Sequence, residues 1–190
     1  MTDANRLNQF YARLNDRLLS TAPSVDESCT QACVLLPFIS INASPHLIFT
    51  RRTMTVTTHK GQIAFPGGIM EPSDSSADST ALREAHEEIG LHPDNVNVIG
   101  YMDGLRTVTD FWITPVVGVV KESFIYRPAE AEVAEVFEVP LNHLLKKSNW
   151  QFGSRDYKGT VYSDCRFPFK GHTIWGATGR LTWTLMEKLK

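Results

Sequence analysis

Cysteine is scarce in this chain and does not pair: Cys29, Cys33 and Cys165 are an odd three among 190 residues, with no C-x-x-C spacing. That argues against a disulfide framework and suits reduced thiols in a cytoplasmic protein. No second Cys or His pair follows Cys29 and Cys33 at finger-like spacing, so both are read as buried apolar thiols rather than zinc ligands. An excess of one charge is missing too. The 19 Lys and Arg stand against 21 Asp and Glu, a net charge of −2, which argues against a dedicated nucleic-acid binder with its basic face. No apolar run approaches the roughly 20 residues that span a bilayer. The opening MTDANRLNQFYARLNDRLLS carries charges throughout, without the apolar centre of a secretory signal. Neither nucleic acid nor membrane is therefore expected as a partner, and the cytoplasm is the expected location. Internal repeats are also lacking, as are linkers long enough to separate domains. One domain with a substantial core is expected.

What is present begins with an amphipathic pattern over residues 3–20. Leu7, Phe10, Tyr11, Leu14 and Leu18 recur at three- and four-residue steps, as in a helix packed on a core. Its polar face mixes both charge signs, unlike a membrane-surface helix. TAPSVDES reads as a loop, and residues 1–29 are expected to be a helix and loop of the same domain. Strand candidates follow in ACVLLPFIS, HLIFTRR, QIAF, NVNVIGYM, FWITPVVGVV and VYSDCRFPF. Pro115 within FWITPVVGVV predicts an edge strand or a bulge. QIAF is expected to stop at Pro66-Gly67-Gly68, and WGATGRLTWTLMEKLK predicts a C-terminal helix. Strands mixed irregularly with few helices predict an α/β sandwich with a mixed sheet.

The acidic segment ALREAHEEIGL, residues 81–91, poses the functional question. Ala81, Leu82, Ala85 and Ile89 form the apolar stripe of a helix over about residues 78–89. Gly90 is placed to cap its end, and Asp74, Ser75, Ser76 or Asp78 to cap its start. At roughly 100° per residue, Glu84 and Glu88 lie about 40° apart, with Glu87 about 60° to the other side of Glu84. His86 points away by about 160–200° and is expected at the surface. Three carboxylates with Arg83 as their one local cation repel each other, and a hard divalent cation relieves that repulsion. Alone, the spacing describes a solvated helix face better than a metal site. The strand, glycine turn and loop upstream favour the metal, because AFPGG lets backbone approach a ligand closely.

Residues 68–91, GIMEPSDSSADSTALREAHEEIGL, resemble the Nudix hydrolase signature G-x5-E-x7-R-E-U-x-E-E-x-G-U, where U is aliphatic. REAHEEIGL fits, with Ala85 a small occupant of an aliphatic slot. Upstream, Asp74 stands at the Glu position and the gap to Arg83 is eight residues instead of seven. That departure resembles the NudL-like subfamily, which includes coenzyme A pyrophosphatases and carries L-L-T-x-R-S-x3-R-x3-G-x-V-x-F-P-G-G. Here Ile48 to Gly68 reads IFTRRTMTVTTHKGQIAFPGG, with Thr57 in place of the second Arg.

The resemblance implies a Nudix fold, an α/β/α sandwich with a mixed sheet over residues 30–185, and hydrolysis of a diphosphate with Mg²⁺ or Mn²⁺. It implies Glu84 and Glu88 as metal ligands and catalytic groups, Glu87 as a further or water-bridged ligand, and the Gly68 carbonyl completing the sphere. Arg83 would orient the glutamates. The general base is Glu84 itself or an acid of PAEAEVAEVF, among which Glu132 matches the subfamily better than Glu130 or Glu135. Arg52, His59 and Lys60 are the expected substrate contacts. Only one of Arg51 and Arg52 should face the pocket, since strand residues alternate, and the motif favours Arg52. The implied substrate is coenzyme A or an acyl-CoA, cleaved to 4′-phosphopantetheine and adenosine 3′,5′-bisphosphate. Thr57 weakens the expected hold on the 3′-phosphate, for which Lys60 is the candidate replacement cation. ADP-ribose and dinucleotide polyphosphates are the alternatives, and a homodimer is compatible with the family. An isopentenyl diphosphate isomerase would need a Cys beside the acids, and a non-catalytic nucleotide-binding domain typically loses glutamates that are kept here.

Overall fold

A computed structural model describes residues 3–157 and 159–190. The strand at its centre is β1 (Thr30–Ile41), which runs parallel to β7 (Phe111–Val120) from Thr30 to Phe38. On its other edge β1 has two antiparallel partners in turn. The first is β4 (Gly67–Ile69), against Ala32 to Val34; the second is β2 (Ser44–Arg52), against Phe38 to Ile41. Pro37 sits at the changeover. Leu35 donates its N–H to the Pro66 carbonyl, and backbone groups alternate sides along a strand. The N–H that Pro37 lacks would have faced the gap between the two partners.

Pro115 follows the same rule, which corrects the expectation of an edge strand or bulge there. β7 is interior, flanked by β1 on one side and by β5 (Val96–Tyr101) and then β6 (Leu105–Arg106) on the other. β5 pairs with Val116 to Val120 and β6 with Trp112 and Ile113, so Pro115 lies between two partners. The register shift falls in β5 instead, between Val98 and Gly100. QIAF is also corrected: it yields only the two-residue β3 (Ile63–Ala64), and the glycines after it do more than turn the chain, because they form β4. β2 carries β8 (Val133–Pro140) along its length and β3 at Thr50 and Arg51. A second sheet holds β9 (Gln151–Tyr157), β10 (Thr160–Phe169) and β11 (His172–Ile174).

Side chains of the main sheet divide between two cores. Leu35, Ile39, Ile48 and Val116 pack with Ala81, Ala85 and Ile89 of α2 (Ala77–Ile89). Leu36, Phe38, Leu47, Phe49 and Val117 pack with Leu14 of α1 (Asp3–Asn15) and with Leu181, Leu185 and Met186 of α4 (Gly176–Lys188). The short α3 (Leu141–Leu144) adds Leu141 and Leu144 to that second core. Both faces are covered, which is why ACVLLPFIS reads as continuously apolar rather than alternating. The result is the α/β/α sandwich with a mixed sheet.

α1 stops at Asn15 and not near residue 20. Beyond it Leu18 packs against the core from a turn, and Leu19 and Tyr101 exchange backbone hydrogen bonds of 2.9 Å. Capture by the sheet ends the helix, although the apolar spacing continues. Cys29 and Cys33 are buried and Cys165 half-buried, all as free thiols. Among the described residues no helix is long and apolar enough to cross a membrane.

Gly90 ends α2 in the left-handed conformation, φ 74°, its N–H on the carbonyls of Ala85 and His86. A methyl group there would also meet Arg127 Cβ at 3.0 Å. Gly90→Ala is expected to cost about 1–2 kcal/mol, seen as a lower urea midpoint with the far-ultraviolet circular dichroism of the native state unchanged.

Candidate active site

Local sequence chemistry fixes α2 at both ends. The Ser76 hydroxyl accepts the Ser79 N–H at 3.2 Å, and the Ser79 hydroxyl accepts the Ser76 N–H at 2.9 Å, a reciprocal cap. Of the four candidate caps, Ser76 is the one used. With Ala81, Ala85 and Ile89 turned to the sheet, Glu84 and Glu88 come up beside β4. Glu88 is buried, and its Oε2 accepts the Gly67 N–H at 3.3 Å. Glu84 lies directly on Gly68, where an added Cβ would stand 2.4 Å from its carboxyl carbon. A glycine is required there by close approach, not by backbone conformation.

Arg83 ties these acids to the loop before the helix. Its Nε and Nη2 donate to the two oxygens of Asp74 at 3.0 and 2.9 Å. Nη1 donates to Glu84 at 2.9 Å and Glu87 at 3.0 Å, and Nη2 also reaches the Ile69 carbonyl at 3.3 Å. Asp74 further accepts the Thr80 hydroxyl and the Glu71 N–H. The Arg83 hydrogen bonds, more than any other contact, hold the Asp74 carboxyl well below the usual carboxylate range. The longer loop and shorter acid therefore still deliver a bidentate clamp on Arg83.

Glu88 shows the opposite shift. Burial, seconded by the charges of Glu84 and Glu132, pushes its carboxyl up to about 7 against the Gly67 N–H and Arg52. Glu84 is raised as well, first by burial and then by Glu87 and Glu132, with Arg83 opposing. Arg52 reaches Glu88 only at 3.7 Å, and its Nε is buried without a partner. The site thus holds more negative charge than its two arginines offset. Oxygen-only donors with unmet negative charge fit a hard divalent cation. Among the described residues no three His, Cys, Asp or Glu side chains are arranged to hold a metal unaided. Glu84 and Glu88 would hold it with backbone oxygen, water or substrate, as suits a cation that keeps several waters.

The other expected residues fall in two places. Glu132, in the turn before β8, has an exposed side chain close enough for its charge to act on Glu84 and Glu88, and its backbone pairs with Thr53 and Ala129. Glu130 is exposed. Glu87 is the outermost of the three helix acids, engaged by Arg83. His86 is exposed, edge-on to His92 at 5.3 Å. Arg51 and Arg52 diverge as strand alternation requires: Arg52 goes to Glu88, and Arg51 to Glu135 at 3.1 Å. His59 is exposed at φ 57° with its ring on Gln62, and Lys60 lines a hollow with Arg51; neither bonds to the carboxylates. Sequence reasoning missed Asp74 as the anchor of Arg83, although an acid at that motif position and a lone arginine below it were the signal. It also missed the grouping of Arg51, Glu135 and His172, for which no local signal exists.

Residues 37–157 match the NUDIX domain family model. The chain is 43% identical over 178 residues to a Pectobacterium atrosepticum protein named "Uncharacterized Nudix hydrolase NudL", covering 92% of this chain and 90% of that one. A protein of the same name from Photorhabdus laumondii is 33% identical over 184 residues, 97% and 98% of the two chains. Among solved structures, a C. elegans Ap4A hydrolase binary complex superposes with a TM-score of 0.54 at 10% identity, over 84% of this chain and 93% of that one, a likeness of fold alone.

The raised carboxyl of Glu88 makes a prediction for the metal-free protein. Its folded pKa, about 7, lies above the ordinary value of 4.5. Ionising Glu88 in the folded state therefore costs stability above pH 7, and the cost fades as pH falls toward the unfolded value. In EDTA at pH 8, Glu88→Gln is expected to be more stable than wild type by up to roughly 3 kcal/mol, with the gap closing near pH 5. Chemical denaturation across that range checks it; a variant less stable at pH 8 would contradict the burial argument.

Proposed function

The chain belongs to the Nudix hydrolase family, pyrophosphohydrolases that act on nucleoside diphosphate derivatives, and we propose that its substrate is coenzyme A or an acyl-CoA. The products are 4′-phosphopantetheine and adenosine 3′,5′-bisphosphate. The observation that carries a metal-assisted hydrolysis is the crowding of Glu88, buried beside Gly67 with Glu84 and Glu132 acting on it and the Arg83 donors already engaged. The choice of coenzyme A rests on the subfamily motif from Ile48 to Gly68.

Nudix hydrolases use divalent cations, and Mg²⁺ or Mn²⁺ is proposed here, held by Glu84 and Glu88 with Glu87 and the Gly68 carbonyl in support. When bound, such a cation neutralises phosphate charge and makes water more acidic. The protein's own groups do the rest. Arg83 is a positioning residue, since its guanidinium fixes Glu84 and Glu87 from the Asp74 side. Arg52, whose Nη1 ends 3.7 Å from Glu88, is assigned to the diphosphate. Glu132 takes the proton from the attacking water, with Glu84 the other candidate base. His59 and Lys60 meet the substrate away from the reacting phosphorus. Residues 1–29 are assigned to the same domain, because Phe10, Tyr11 and Leu14 pack in its core. Reduced thiols favour the cytoplasm.

Coenzyme A, acetyl-CoA, ADP-ribose and diadenosine polyphosphates incubated with Mg²⁺ or Mn²⁺, with products weighed by mass spectrometry, test the substrate. Turnover is expected to be highest for the coenzyme A compounds; ADP-ribose far ahead would move the assignment, and binding without turnover would leave a nucleotide-binding domain. Glu88→Gln should abolish metal-dependent turnover. Gly68→Ala should lower kcat by roughly 100-fold through displacement of the Glu84 carboxylate, with Tm almost unchanged because the end of one side chain yields.

A further inference from the structure

A second polar hollow lies across β2 from the carboxylates. It encloses about 360 Å³ between the loop that follows β2, β3, β11 and the residue before α4, large enough for a portion of a small ligand. Arg51, Lys60, His172 and Trp175 line it. Glu135 holds Arg51 by Nε at 3.1 Å and approaches His172 Nε2 at 3.4 Å. His172 is fixed in turn by stacking on Phe137, 4.4 Å between ring centres. The terminal nitrogens of Arg51 and the ammonium of Lys60 have no partner among the described residues. Two cations with unused donors and one carboxylate engaged as an anchor leave the hollow suited to an anion. Trp175 adds an aromatic surface, already attractive enough to hold the Arg155 guanidinium at 5.0 Å.

We propose that this hollow holds the phosphorylated nucleoside end of the substrate, with Arg51 and Lys60 on a phosphomonoester and Trp175 against the base. The proposal rests on the coenzyme A reading above and names the residues that would set it apart from unphosphorylated nucleotides. Thr57 leaves the loop without the second motif arginine, and Arg51 and Lys60 supply the cations from elsewhere. The hollow is joined to the acidic site through the backbone. Gln62, in its wall, accepts the Arg52 N–H at 3.0 Å, and the Arg52 side chain ends 3.7 Å from Glu88. Arg51 and Arg52 are neighbours, about 3.8 Å apart along the chain, on opposite faces. A ligand serving both must pass around β3, which among the described residues pairs only with β2.

Steady-state kinetics of Lys60→Ala and Arg51→Ala on coenzyme A and on 3′-dephospho-coenzyme A test the assignment. The ratio of the two KM values, coenzyme A over the dephospho compound, is expected to rise by roughly 10- to 100-fold. An unchanged ratio in both variants overturns the proposal. Arg51→Ala also removes the Glu135 contact, so Lys60→Ala, which breaks no bond within the protein, is the deciding variant. Calorimetry without metal gives a readout independent of turnover. Wild type should bind adenosine 3′,5′-bisphosphate more tightly than adenosine 5′-monophosphate, and Lys60→Ala should lose that preference. A preference retained by a wild type that does not cleave coenzyme A would keep this site and overturn the substrate reading; no preference in wild type would overturn the site.

Discussion

The guanidinium of Arg83 is the contact on which the acidic edge depends. It engages Asp74, Glu84, Glu87 and the Ile69 carbonyl at once, so it joins β4, the loop after it and the first turns of α2. Removing any one acid would leave the others arranged, but removing the cation would leave Asp74 and Glu84 both short of a partner. An exposed ion pair contributes little to stability. This group differs because Asp74 is almost wholly covered and its clamp is bidentate. Glu84 and Glu88 stay close because they lie one turn apart on α2, and Arg83 fixes the first of them from the Asp74 side.

The two interior prolines show how a sheet accommodates residues that propensity would send to its edge. Pro37 and Pro115 both occupy places where their strand exchanges one neighbour for the next. The missing donor falls where no acceptor waits, so neither strand loses a ladder bond. This exception is invisible in sequence, because it depends on where β4, β2, β5 and β6 end. The apolar runs, the glycine cap of α2 and the acidic spacing were legible because each is set within a few neighbouring residues. The end of α1 was not, since pairing of Leu19 with Tyr101 decides it from across the sequence.

The same division governs the site. Glu84, Glu87 and Glu88 share one helix, and helical geometry alone sorts them from His86. The opposition of Arg51 and Arg52 was legible from strand alternation, and the structure keeps it. The company of Arg51 was not, because Glu135 lies 84 residues further along and meets it only through the register of β2 with β8. Lys60 shows the limit from the other side. Its place in the chain suggested a phosphate contact but not its neighbours, and the loop carries it to Arg51, His172 and Trp175.

Because Gly67 and Gly68 belong to a strand laddered onto β1, the acidic edge is bolted to the innermost region of the sheet. The segment from Thr53 to Gln62, by contrast, touches that frame chiefly at its ends, through Thr53 to Glu132 and Gln62 to Arg52. Evolution can therefore rewrite the segment that meets the far end of a substrate while the reacting centre stays put. A chain built this way separates what it cleaves from how it cleaves, and drift in the first carries little penalty for the second.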